Sequence, residues 1–115
     1  MGAFQEDTPM RYPPPPLAAP VDATRVRTLP RHFAWLDHRL RDRLHELSLE
    51  AIALLVFLHL AADRTGCSFW ADATIAQKLG VREGDVIQAR YQLVAKGFVA
   101  YRYPLYQLLP LEDRP

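Results

Sequence analysis

The sequence predicts an α+β domain, mainly helical with a small antiparallel sheet, and three observations lead there. "AIALLVFLHLAA", Ala51 to Ala62, is apolar almost all the way round, and its twelve residues fall short of the roughly 20 that span a bilayer. Two further helical patterns follow, "ATIAQKLG" and "REGDVIQARYQLVAKG", each closed by a glycine. Then "FVAYRYPLYQLL" places two alternating runs about Pro104, as a hairpin does.

Before this domain lies a different kind of chain. Residues 1 to 30 mix prolines, small residues and scattered charge without hydrophobic period, and such a segment buries too little surface to offset its ordering entropy. It reads as a disordered arm, with residues 31–111 as the folded domain and 112–115 as a tail. "PPPP", Pro13 to Pro16, is a spacer or a polyproline ligand; Arg25, Arg27 and Arg31 are candidates for phosphate contact. From Phe33, apolar residues recur at steps of three and four through Leu36, Leu40, Leu44 and Leu47, while Arg39, Arg41, Asp42, Arg43 and Glu46 take the other face. One or two amphipathic turns packed on the domain are expected, their arginine face a solvated surface or a phosphate contact.

Ser48 is placed to cap the apolar helix, and Asp63 to Gly66 form its exit turn. A helix without a polar face needs cover on several sides, from flanking segments or from a second copy of the chain. "CSFWA", Cys67 to Ala71, predicts a brief strand, and Asp72 an N-cap for a helix whose Ile75, Ala76 and Leu79 share one face. Gly80 ends that helix and Val81 plugs the link. The next runs from about Glu83 to Lys96, with Val86, Ala89, Leu93 and the aliphatic stem of Arg90 inward and Gly97 as its stop. The hairpin strands join the Cys67 strand in a three-stranded antiparallel sheet.

Composition excludes several chemistries. The 115 residues carry a formal charge of +1, which gives no strong overall field for holding a polyanion, so any nucleic-acid contact must come from a local patch. A single cysteine, Cys67, excludes an intramolecular disulfide and a multi-cysteine zinc cluster, and reads as buried filler in a reducing compartment. The N-terminal residues show no signal-peptide core, which makes the cytoplasm the expected location. "HELSL" from His45 begins like a zinc-protease motif but has Leu49 where the second histidine belongs; His32, His38 and His59 add no ligand spacing. "KLGVREGD" lacks the phosphate-loop spacing, and neither Ser48, Ser68 nor Cys67 has the neighbours of a nucleophile. No enzyme, metal or cofactor is expected.

Core helix, short strand, two helices about a glycine link, and a hairpin: over residues 48–109 this order resembles the winged-helix variant of the helix-turn-helix fold. "ATIAQKLGV" looks like its positioning helix and turn, and "REGDVIQARYQLVAKGFV" like its recognition helix, ending on Leu93, Gly97 and Phe98. The run "FWADATIAQKLGV…QAR…LVAKGFVAY…PLYQLLPL" is also similar to small bacterial helix-turn-helix proteins found near mobile elements. The resemblance implies binding of double-stranded DNA as a homodimer, in transcription regulation or as accessory to a mobile or replicating element.

On that reading the outward strip of the second helix carries Arg82, Asp85, Gln88, Tyr91 and Gln92, with Glu83 and Ile87 at its margins. Gln88 and Gln92 suit adenine edges, Arg82 guanine or phosphate, Tyr91 phosphate or a thymine methyl; Lys96 and Arg102 meet the backbone. Two features depart from the pattern: Glu83 and Asp85 put acid where phosphates are usually met, and the hairpin carries one basic residue, Arg102. The competing expectation is a docking or dimerisation module that uses Trp35, Trp70, Ile87, Phe98 and the apolar helix as a protein interface.

Overall fold

The computed structural model describes Ala19, residues 21–25 and residues 32–111. The chain divides into two units, 1–31 and 32–115. Of the first, the described part is a tight turn at Asp22, whose carboxylate accepts hydrogen bonds from the Thr24 backbone N–H (3.0 Å), the Thr24 hydroxyl (2.6 Å) and Arg25 Nε (2.6 Å). The Pro13 to Pro16 run, Arg27, Arg31 and the 112–115 tail lie outside the described residues.

The second unit is α+β, with three α-helices and a three-stranded antiparallel sheet among its described residues. Helix α1, Leu49–Ala61, starts where the Ser48 side chain accepts from Ala51 N–H, satisfying one of the amides that a helix start leaves without a partner. Its inward residues Ala51, Leu54, Leu55 and Leu58 form the centre of the core. Burying a leucine this fully contributes on the order of 1.5–3 kcal/mol. Helix α2, Asp72–Leu79, adds Ile75 and Ala76; helix α3, Glu83–Ala95, adds Val86, Ala89 and Leu93.

Glycines end both of the later helices by adopting left-handed backbone. At Gly80 (φ 72°) the N–H groups of Gly80 and Val81 both return to the Ala76 carbonyl, so the chain turns directly into α3. At Gly97 (φ 81°) Phe98 N–H bonds the Leu93 carbonyl and Gly97 N–H bonds the Val94 carbonyl, a Schellman closure that tucks Phe98 into the core.

Strand β1, Cys67–Phe69, and the hairpin strands β2, Val99–Arg102, and β3, Leu105–Leu108, assemble in the order β1-β3-β2. Pairing Ser68 with Tyr106 and Tyr101 with Tyr106 turns Ser68, Val99, Tyr101 and Tyr106 to the helices. Phe69, Leu105 and Arg102 then fall in one row on the outer face.

Four local expectations need correction. Asp72 is the first helical residue of α2, with Ala71 as N-cap, because its carboxylate is bound by Arg90 instead of turning back on its own helix. The strand from Cys67 stops at Phe69, since Trp70 leaves the sheet to pack edge-on against Phe57 at a centroid distance of 5.2 Å. The segment before α1 forms two 3-10 turns, His38–Asp42 and Leu44–Glu46; Leu40 and Leu47 are buried while Phe33 and Leu36 stay exposed. Cys67 is half-buried rather than buried.

Candidate nucleic-acid interface

Helix α3 shows two opposed faces. Val86, Ala89 and Leu93 point into the core; at 100° per residue, the positions half a turn away are Gly84, Gln88, Tyr91 and Ala95, and all four are exposed. A Cβ built on Gly84 meets nothing within 4 Å, so the strip is open at that end. The strip itself carries no acid. Glu83 stands at the helix start, and Ile87 and Val94 form one flank.

The expected residues separate into three groups. Gln88 and Tyr91 lie on the open strip, with Tyr91 69% exposed. Arg82, Lys96 and Arg102 are exposed cations at element ends: the start of α3, its C-cap, and the last residue of β2. Arg82 and Lys96 are separated by roughly 21 Å of helix. Asp85 and Gln92, by contrast, are committed within the fold. The Asp85 carboxylate accepts from the Arg82 N–H (3.1 Å), half of a capping box, and from Arg82 Nε (3.4 Å), and these bonds, the backbone one foremost, hold its pKa below the usual carboxylate value. Gln92 lies on the flank toward α1, where its Oε1 accepts from the Ser48 N–H at 2.7 Å. One glutamine therefore ties α3 to the start of α1.

Two arginines that the sequence did not mark as organisers set the position of this helix. Arg90 reaches across from α3 to Asp72 on α2 (2.6 and 3.3 Å) and to the Tyr106 hydroxyl on β3 (2.8 Å), with its guanidinium 4.4 Å from the centre of the Tyr101 ring. Burial by itself would lower the Arg90 pKa, but the hydrogen bonds to Asp72 and Tyr106 outweigh it and raise it further. Burial also raises the pKa of Tyr106, against the opposing pull of Arg90. Arg43 performs a similar task at the C-terminal end of α3. Its Nη2 bonds Glu46 (2.9 Å) and the Lys96 carbonyl (3.2 Å), and its guanidinium lies 4.4 Å from the Phe98 ring centre, which braces the C-terminus of α3. The i, i+3 spacing of Arg43 and Glu46 was the available signal; for Arg90 and Asp72, 18 residues apart, there was none.

Elsewhere the chemistry is sparse. Among the described residues no group of three His, Cys, Asp or Glu could hold a metal ion, and no helix is long and apolar enough to cross a membrane. His59 sits with Nδ1 2.8 Å from the Leu55 carbonyl, a satisfied position on its own helix. Comparison with protein-family models, curated proteins and solved structures finds no match to this chain.

Proposed function

We propose that the chain is a winged-helix protein that binds double-stranded DNA as a dimer, presenting α3 to the major groove, in transcription regulation or in service of a mobile or replicating element. The observation that carries this reading is the open, acid-free strip of Gly84, Gln88, Tyr91 and Ala95, flanked at the two helix ends by Arg82 and Lys96. A helix about 10–12 Å across fits a major groove about 12 Å wide, and small residues at the strip's two ends allow close approach to base edges. Gln88 has the paired donor and acceptor that suit adenine, and Tyr91 suits a phosphate or a thymine methyl. Arg102 at the end of β2 is the cation through which the hairpin would reach a phosphate.

Fluorescence anisotropy on a random-sequence duplex at several salt concentrations tests it. Wild type should bind with log K falling linearly in log salt, and Arg82→Ala should flatten that slope by about 1 per bound protomer. Gly84→Glu is the sharper variant: its side chain enters open space, so the fold should persist, while the new carboxylate stands in the groove and removes binding. A folded wild type that binds no duplex at low salt would instead support the second reading, a protein-interaction module without DNA binding. That reading has its own observation, the exposed Leu49, Val56 and Leu60 on α1.

A further inference from the structure

We infer that the outer face of α1 is the contact between two copies of this chain, packed antiparallel about a two-fold axis. The inference rests on the dimeric half of the proposed function and is independent of its DNA-binding half.

The buried residues of α1 centre on Leu54, Leu55 and Leu58, and the opposite side of the same helix is also apolar. Leu49 is 80% exposed, Val56 42% and Leu60 70%, with half-buried Ala53 between them. Residues 49, 53, 56 and 60 follow steps of four, three and four, the spacing that keeps one seam facing a partner helix. Scattered leucines on a surface are ordinary; a seam along a whole helix, without one charged or polar member, is not.

Three properties favour a second copy as the occupant. A two-fold contact uses the same patch twice, so the patch must complement itself, and an uncharged seam does so where a charged one would repel. Antiparallel packing sets Leu49 against the partner's Leu60 and Ala53 against the partner's Val56, so that each alanine faces a larger residue. Parallel packing would oppose Ala53 to itself and leave a gap; antiparallel packing also opposes the two helix dipoles.

The third property is area. A helix of 13 residues is about 20 Å long, and two such helices side by side remove on the order of half the ~800 Å² per partner that a stable interface buries. The rest comes from the adjoining shoulder. A groove of roughly 270 Å³ runs beside the seam, with Leu36, Leu40 and Leu44 on one side and Ile52 and Val56 on the other; Asp37, His38 and Arg41 also line it, but most of its surface is apolar. A two-fold axis across an antiparallel pair keeps like flanks together, so the two grooves close over each other.

Sedimentation velocity of the full chain without DNA, from low micromolar upward, decides it. Wild type should sediment as a dimer, and Leu49→Lys or Leu60→Glu alone should weaken dimerisation at least a hundredfold. Both positions are exposed in the single chain, so far-UV circular dichroism should show each variant folded. The double variant Leu49→Lys with Leu60→Glu should dimerise again, because antiparallel packing sets each lysine against a glutamate of the partner. A wild type that stays monomeric, single variants that remain dimeric, or a double variant that fails to recover would each overturn the inference.

Discussion

At the scale of single residues, Arg90 shows how one side chain can decide the geometry of a surface it does not belong to. Its side chain is 14% exposed and that of Asp72 27%, so the ion pair between them is shielded from most screening by solvent. Removing one partner leaves the other short of its bonds. Arg90→Leu should therefore lower stability by about 2–3 kcal/mol in urea unfolding, and Arg90→Lys should recover less than half of it, since an ammonium cannot span both Asp72 and Tyr106. A loss below about 0.5 kcal/mol, the level of an ordinary surface change, would refute the role. The sequence showed the aliphatic stem of Arg90 turned inward, from its helical period, but period says nothing about the partner of a guanidinium. Gln92 is the same lesson reversed. Its spacing put it with the outward strip, yet the flank it occupies faces the start of α1, and a helical wheel records angle without recording which neighbour lies there.

At the scale of elements, what was legible depends mostly on local chemistry, the cap expected at Asp72 being the exception. Ser48 caps α1, Gly80 and Gly97 stop α2 and α3, and the hairpin bends between Arg102 and Leu105, all because caps, left-handed backbone and turn residues act within a few positions. The segment before α1 was harder. Its apolar period predicted amphipathic turns, but the short 3-10 turns bury only Leu40 and Leu47, and Phe33 and Leu36 remain in water. Asp37 starts the first of these turns by accepting from the Arg39 N–H, and the Arg39 side chain, foremost among its partners, holds the Asp37 pKa at about 2 against the ordinary 3.8. A carboxyl with a depressed folded pKa stabilises the fold above its unfolded value and loses that contribution as pH falls through the folded one. The contribution of Asp37 is thus whole above about pH 4 and vanishes toward pH 2. Asp37→Asn keeps a capping oxygen but removes the titration, so melting temperature followed from pH 5 to pH 1.5 should show a shallower acid limb than wild type. Identical limbs would show that this turn does not couple to the stability of the domain.

At the scale of the whole molecule, a formal charge of +1 limits how the proposed DNA contact can be made. So small a net charge adds little general attraction for a polyanion, so on the proposed reading affinity must come from a few placed cations. The candidate cations are Arg82, Lys96 and Arg102, which stand on three different element ends. Each phosphate neutralised contributes about −0.9 to the slope of log K against log salt, so one protomer should give roughly −2.7 and a dimer with both α3 helices engaged roughly −5. The slope therefore counts engaged protomers as well as charges. Wild type and the Leu60→Glu variant differ in the proposed dimer contact but carry the same three cations. Measured on one duplex, the wild type should show the steeper slope and the variant about half of it, with weaker binding at every salt concentration. Equal slopes would mean that one α3 suffices and that dimerisation serves something other than DNA. A slope near −10 for the wild type would mean that other arginines hold the duplex, in which case Arg39 and Arg41 of the 3-10 turn before α1 are the next to replace.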